Sequence, residues 1–504
     1  MVELQTPLQA AQWLRQHVTG ELRTDSRQVQ AGDGFIAWPG AATDGRQYMA
    51  RAFAQGASAC LMQREGGEPW QDLQPVDRVA ALPRLRERTG LVADAYYEQP
   101  TQQLGVLAVT GTNGKTSTAC WLAQALAHPA IGQRCGVVGT LGVGVWPELT
   151  STGMTTPDPV LLQRSFRQMQ AAGATLCAIE ASSIGIAEHR LDATRIRTAV
   201  FTNFTQDHLD YHGSMQAYWA AKRQLFAWAG LQSAVINIDD PQGAALAAEL
   251  SDAGLDLWTC SRRQDARLRA WPLPSREGLS FEVREGDALY RIDTTLTGDY
   301  NIDNLLGVIG ALRAQGLSLA PIAQACAALQ AVPGRMQRVL PVQARAGVAA
   351  LPLALVDYAH TPDALTQALL ALKPLARERG GRLWCVFGCG GNRDPHKRPL
   401  MAAAAEAQAD RLVLTSDNPR AESAVTILAE MKVGLRSPQL ATVIEDRAAA
   451  IALAVRDAAP ADVLLVAGKG HETTQEIAGV FHPFSDVAQL QKALATRQNQ
   501  EVRA

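Results

Sequence analysis

The eight cysteines of this chain (Cys60, Cys120, Cys135, Cys177, Cys260, Cys326, Cys385 and Cys389) form no CxxC pair. A chain this large needs no disulfide staples, so they are expected to be reduced, buried thiols of a cytosolic protein. Long apolar runs are missing too: none reaches about 18 residues, the length that a membrane helix needs. The opening "MVELQTPLQAAQWL" has neither the basic start nor the apolar core of a signal peptide, so no export and no membrane span are expected. Charge of one sign is also lacking. With 47 basic and 49 acidic residues the net charge is -2, which gives no broad basic field for nucleic acid or an anionic membrane. Short-period repeats and low-complexity tracts are absent. What remains is a globular composition, 47% hydrophobic and 19% charged over 504 residues. That length suggests about three domains, with a small molecule as the expected partner.

Residues 1–98 read as a small mixed unit, with a helix at "LQAAQWLRQHV" and a strand through "GDGFIAWPG". "YEQPTQQ" then reads as a linker. Over 99–331 short apolar strands alternate with helical stretches, as in "GATLCAIEASS", "RTAVFTNFTQDH" and "QSAVINIDD". This alternation predicts an α/β unit with a parallel sheet. Residues 255–297 read instead as a smaller antiparallel insert. "AVPGRM" marks a boundary, and 332–504 repeat the α/β rhythm in "LPLALVDYAH", "GRLWCVFGCGG", "ADRLVLTSDNPR" and "ADVLLVAGKGHE". Each of these four strands runs straight into polar residues. In such sheets ligands sit beyond the carboxyl ends of the strands, so a second binding site is expected there.

The stretch "VTGTNGKTSTACWL" places Gly111, Thr112, Asn113, Gly114, Lys115, Thr116 and Ser117 between an apolar strand and a helical pattern. In that context the glycines let backbone N–H groups approach phosphate oxygens. Lys115 supplies a point charge to the terminal phosphates, and the Thr116 hydroxyl can hold Mg2+. The loop is shorter than the common GxxxxGK[ST] form, which would need glycine where Val109 stands. Glu180 and His208 follow strands at the same expected edge and could complete a Mg2+ shell. Read singly, they could equally be a cap partner and a loop hydrogen-bonder. Lys222 lies in the helical stretch "MQAYWAAKRQLF", where spacing alone reads as a solvated face.

"TGTNGKT", "TNFTQDHLDYHG", "GDYNIDN", "VPGRM", "VDYAHTPDAL", "FGCGGNRDPHKRP", "SDNPR" and "AGKGHE" occur in this order over nearly the whole chain. Together they resemble the Mur ligases of peptidoglycan precursor synthesis. The resemblance implies an α/β protein of three domains: an N-terminal one for the UDP end of the substrate, a central P-loop ATPase-like parallel sheet, and a C-terminal Rossmann-like domain for the incoming amino acid. It implies ATP and Mg2+ as cofactors, and an acyl phosphate that the amine of the amino acid attacks. It also implies Lys115, Glu180, His208 and Lys222 as the catalytic set. Thr116, Glu180, His208 and a carbamylated Lys222 would serve the metal. Asn301, Arg335, Asp357 and His360 resemble the family's nucleotide contacts. Ser26, Thr155, Thr156, Ser182, Glu188 and Arg190 resemble contacts to a UDP-N-acetylmuramoyl-L-alanyl-D-glutamate substrate.

"SDNPR" points to the amino acid. The far end of meso-diaminopimelate carries an ammonium and a carboxylate, whereas lysine ends in an ammonium alone, and Arg420 can supply a fixed bidentate cation for that carboxylate. Asp417, Asn418, Pro419, Gly468, Glu472 and Arg393 resemble the rest of such a pocket. The chain departs from the family pattern at Ile184, where histidine is usual, and at Glu188, where an amide is common. It departs also at Thr24 and at the uracil-side positions Ala41, Ala42 and Thr43. The rivals are a lysine-adding Mur ligase, a folylpolyglutamate synthetase-like ligase, and a nucleotide switch without a second pocket. A nicotinamide-dependent oxidoreductase, prompted by "GCGGNR", fails because Arg393 stands where the third glycine belongs. A cytoplasmic monomer is expected.

Overall fold

The computed structural model describes residues 1–40, 43–275, 278–341 and 351–501. Ala41 and Ala42 lie outside the described residues.

Three large sheets follow one another along the chain, with a two-stranded hairpin, Thr474–Ile477 and Val480–Pro483, after the last strand of the third. The first has five strands, in the spatial order Val2–Glu3, Val79–Leu82, Ala59–Gln63, Gly34–Ala37 and Leu22–Arg23, all parallel. Its helix Pro7–His17 starts where the spacing predicts. The Thr6 side chain accepts from Gln9 N while the Gln9 side chain reaches back, and proline occupies the first turn, where no N–H is needed. A second helix, Leu85–Tyr96, packs against it and against helix Pro159–Ala171 of the next unit.

The central sheet has ten strands. Gly105–Thr110 lies between Leu176–Glu180 and Ile196–Phe201, parallel to both, with Val109 beside Glu180 and Thr110 beside Phe201. The three strands therefore end together at one carboxyl edge. Of the segment expected as a smaller antiparallel insert, the two border strands are antiparallel as expected, and the whole segment is continuous with this sheet. Asp256–Ser261 pairs parallel to Ser233–Asn237, and Leu268–Leu273 pairs parallel to Asp256–Ser261. Only then do Leu279–Glu285 and Ala288–Thr294 add antiparallel strands at the border. The inward set of these strands (Leu268, Ala270, Phe281, Val283, Ile292) joins the same core as the phosphate-loop helix.

In the third sheet, Leu353–Asp357, Val463–Ala467, Leu383–Phe387, Arg411–Leu414 and Thr442–Val443 are parallel and adjacent in that order, with Gln337–Val339 antiparallel at one border. Buried Arg447 holds two of its carboxyl ends in place. Its Nη1 donates to Ser416 O at 3.2 Å and its Nη2 to Ala467 O at 2.8 Å, while Asp486 balances the charge through two 2.7 Å bonds. Both side chains are fully buried, so the pair is a polar peg whose remaining donors are spent on the backbone beside Asp417 and Gly468. No helix among the described residues is long and apolar enough to cross a membrane.

Candidate functional site

The phosphate loop forms as its spacing predicts, a turn between strand Gly105–Thr110 and helix Lys115–Ala127. Gly111, at φ +144°, could carry no side chain, because a Cβ would lie 1.9 Å from Thr202 Oγ1. Gly114, at φ +88°, would strike Asn304 Oδ1 at 2.2 Å, so helix Tyr300–Ala314 backs the loop directly. Asn301 accepts from Asn304 Nδ2 at 2.9 Å and donates to Thr297 O at 2.8 Å, which fixes the entry of that helix rather than the loop itself. Asn203, beyond the neighbouring strand, accepts from Asn113 N at 2.9 Å. Lys115 Nζ donates to the carbonyls of Gly111 and Thr112 at 2.9 and 2.8 Å. Burial lowers its pKa, with Glu180 and Asp207 opposing.

Thr116 Oγ1 donates to Glu180 Oε2 at 2.9 Å and accepts from Arg335 Nη2 at 3.0 Å. Glu180 also accepts from Thr140 N at 2.7 Å. One hydroxyl and one carboxylate, side by side at the loop, are the hard oxygen donors that suit Mg2+, an ion that uses few protein ligands and keeps its waters. Thr116 and Glu180 therefore fit the metal. Lys222 fits in a different way. It is buried, its Nζ donates to Gly111 O at 2.7 Å and lies 4.5 Å from the Tyr218 ring centroid. Burial, reinforced by Lys115, holds its pKa well below the ordinary lysine value. An ammonium cannot ligate a metal, but an amine biased toward its neutral form is the form that adds CO2 to become a carboxylate-like group.

His208, at φ 52°, lies 3.4 Å from Asp207, and His360 reaches the same carboxylate at 3.9 Å. Burial pushes both imidazoles down to about 4. Burial would raise Asp207, but His360, His208 and Lys397 outweigh it and hold that carboxyl at about 2. His208 also feels Lys115 and Lys222, which places it on their side of the loop. Asp207 escaped the sequence reading although it stands directly before His208. Tyr218 was missed as well, though it lies one helical turn before Lys222 and donates to Thr112 Oγ1 at 3.2 Å.

Arg335 comes from the start of the third unit and stacks on Tyr358, its Cζ 4.4 Å from the ring centroid. Asp357, expected at a nucleotide, accepts from Met336 N at 2.7 Å and Ala359 N at 2.9 Å and so anchors the Arg335 turn. His471 packs beside Tyr358 with ring centroids 5.4 Å apart, and burial, with Arg335 and Lys469 nearby, pushes it down to about 4. The sign follows. Below its ordinary value near 6.5 the unfolded chain takes up a proton at His471 that the folded chain refuses until about pH 4. Stability is therefore lost as pH falls through that window. In urea titrations the wild type should lose more stability between pH 7 and pH 5 than His471→Asn; equal losses would show that the ring titrates normally.

The expected substrate residues gather beside Glu180. Thr156 Oγ1 donates to Glu180 O at 2.7 Å and lies 2.9 Å from Ser182 Oγ, and Thr155 lies 3.1 Å from Thr140 Oγ1. Ser182 caps helix Ser183–Ala187, and Arg190 Nη1 donates to Thr156 O at 2.9 Å. Ser26 is buried in a short turn of the first unit. Glu188 faces Arg86 and Tyr211.

A second cluster occupies the carboxyl edge of the third sheet. Asn418 Nδ2 donates to Glu472 Oε2 at 2.8 Å, and Lys469, fully buried and missed in the sequence, bridges Asn418 Oδ1 at 2.9 Å and Glu472 Oε2 at 2.8 Å. A Cβ on Gly468 would lie 2.6 Å from Asp417 Oδ2. Arg420 Nη1 donates to Gly391 O at 2.7 Å and its Nε lies 3.3 Å from Glu476. Pro419 fills the turn between them, its carbonyl against Gly391. Arg393 is exposed at the rim of the cluster: a Cβ on Gly390 would lie 3.9 Å from its Cγ and 2.9 Å from Arg420 Nη1, and its own Nη1 lies 3.4 Å from Asn392 O.

Comparison with known proteins gives the same reading along the chain. The Mur ligase family, catalytic domain, matches residues 20–97, the Mur ligase middle domain 109–312, and the Mur ligase, glutamate ligase domain 334–470. A UDP-N-acetylmuramoyl-L-alanyl-D-glutamate--2,6-diaminopimelate ligase of Acidovorax sp. (strain JS42) is 56% identical over 501 residues, 98% of each chain. A solved structure of a ligase of that name is 35% identical, covers 95% of each chain and superposes with a TM-score of 0.62. The MurF ligase of Thermotoga maritima in complex with ADP, at 16% identity and a TM-score of 0.67 over 98% of this chain and 99% of that one, shares the fold. With three consecutive domain matches and near full-length identity of this order, the chain belongs to the Mur ligase family.

Proposed function

We propose that the chain is the ATP- and Mg2+-dependent amide ligase that joins meso-diaminopimelate to UDP-N-acetylmuramoyl-L-alanyl-D-glutamate in cytoplasmic peptidoglycan precursor synthesis. Residues 1–98 would hold the UDP end, 99–331 the nucleotide triphosphate and 332–504 the amino acid. The observation that carries the reading is Arg335 Nη2 on Thr116 Oγ1, 3.0 Å across the two larger units. It ties the phosphate loop to the unit that carries the separate polar cluster of Asn418, Arg420, Lys469 and Glu472.

In the reaction, an oxygen of the substrate carboxylate attacks the γ-phosphorus of ATP, and ADP leaves. The amine nitrogen then attacks the carbonyl carbon of the acyl phosphate, and phosphate departs with the C–O electron pair. Lys115 and Arg335 counter the charge that gathers as triphosphate and carboxylate meet, which is the main catalytic demand of such a transfer. Thr116 and Glu180, with a carbamylated Lys222, would hold Mg2+, which when bound neutralises phosphate charge. Asp207, ionised between His208 and His360, suits the ammonium that must approach and lose a proton before it attacks.

The test is phosphate release from ATP with the nucleotide dipeptide, comparing meso-diaminopimelate with L-lysine. Release should require the dipeptide and prefer meso-diaminopimelate by at least about a hundredfold, the scale for a site that pairs a buried charge. Turnover preferring lysine would overturn the amino-acid assignment, and release indifferent to both additions would overturn the ligase reading.

A further inference from the structure

An acidic residue at position 188 would repel an anionic substrate if it stood free, since the substrate carries a diphosphate and a carboxylate. The structure gives that charge a partner. Arg86 Nη2, on helix Leu85–Tyr96 of the first unit, donates to Glu188 Oε2 at 2.6 Å, and the Tyr211 hydroxyl donates to Oε1. Burial raises the Glu188 carboxyl, but Tyr211 and Arg86 outweigh it and keep it below the ordinary value. Glu188 is about one-fifth exposed (21%) and Arg86 39%, so the contact is partly shielded and stronger than a free surface pair.

The same helix meets the same loop a second time. A Cβ on Gly90, one turn beyond Arg86, would lie 2.5 Å from Asp192 O, so backbone packs on backbone there. Between the two contacts the chain turns through His189, at φ 57°, and delivers Arg190, whose Nη1 donates to Thr156 O at 2.9 Å. Glu188 thus fixes the start of the turn, Asp192 its end, and Arg190 is held between them beside Thr155 and Thr156.

We infer that Arg86, Glu188 and Tyr211 form a positioning latch that sets Arg190 for the anionic substrate, with Arg86 cancelling the charge of Glu188, so that Glu188 acts through the loop rather than by touching substrate. This rests on the ligase reading above. Two groups on different units are fixed relative to each other by one charged hydrogen-bonded pair.

The experiment is a double-mutant cycle read as KM for each substrate. Arg86→Ala should raise KM for UDP-N-acetylmuramoyl-L-alanyl-D-glutamate about tenfold, because it leaves a bare carboxylate beside an anion. KM for ATP and for meso-diaminopimelate should stay within about twofold. Adding Glu188→Gln to Arg86→Ala removes the bare charge but not the lost tie, so it should bring KM only part of the way back, while Glu188→Gln alone should raise KM severalfold and Arg86→Lys should recover part of the loss. Additive losses in the double variant, or losses shared equally by all three substrates, would overturn the latch while leaving the ligase intact. A folded wild type that does not turn over the dipeptide nucleotide would overturn the ligase reading and the latch with it.

Discussion

Replacing Lys222 by alanine is expected to lower ligation by about a thousandfold or more, the scale of removing a group that stabilises transferring charge. Short carboxylates such as formate or acetate should restore part of it. The structure gives the side chain two possible uses. As an ammonium it would pin the phosphate loop through its 2.7 Å bond to Gly111 O. As a carbamate it would add a negative oxygen donor beside Thr116 and Glu180. A buried lysine beside a second lysine, its pKa held low by burial and by Lys115, is poorly suited to the first role and well suited to the second. Chemical rescue separates them. An ammonium role predicts recovery with a small amine and none with a carboxylate, whereas a carbamate role predicts the reverse. An unimpaired Lys222→Ala enzyme would remove the residue from the reaction altogether.

The site was legible in the sequence where chemistry is local. Strand, glycines, Lys115, Thr116 and helix stand within a single stretch, and Glu180 ends the neighbouring strand, so their meeting at one edge follows from parallel pairing alone. What failed to show were partners contributed across long sequence separations. Arg86 and Glu188 lie 102 residues apart, and nothing in either local stretch announces the other. Glu188 therefore showed as a departure from the family pattern, and Arg86 drew no reading at all. Asp207 takes its meaning from His360, in a loop of the third unit, and Lys469 from Asn418, 51 residues earlier. Within 255–297 the antiparallel pairing was legible but its attachment to the central sheet was not: alternation shows that a strand has one buried face but not which sheet it joins.

Arg420→Ala should cost about a thousandfold in kcat/KM for meso-diaminopimelate, about 4 kcal/mol, within the range for truncating one partner of a buried charged pair. KM for ATP should be little changed. Arg420 is held firmly. Its backbone, at φ 55°, lies in a conformation that a side chain adopts only when the surroundings insist. Here Arg420 N donates to Glu476 O at 3.0 Å and Ala478 N donates to Arg420 O at 2.7 Å. Gly391 O takes Nη1 and Glu476 faces Nε, which among the described residues leaves Nη2 with both of its N–H donors for a ligand carboxylate. A Cβ on Gly390 would lie 2.9 Å from Nη1, so the bare backbone there makes the room that the fork needs. Glu472 shares its charge with Lys469 and Asn418, as Glu476 pairs with Arg420, so the pocket sets guanidinium N–H donors beside carboxylates. A ligand end bearing a carboxylate as well as an ammonium meets both signs there. Loss of Arg420 should then erase the preference for meso-diaminopimelate over L-lysine, chiefly by weakening the former. Arg420→Lys should recover little, because a point charge cannot reproduce the planar fork. Equal losses with both amino acids would move the specificity away from Arg420 and onto the Asn418–Lys469–Glu472 cluster.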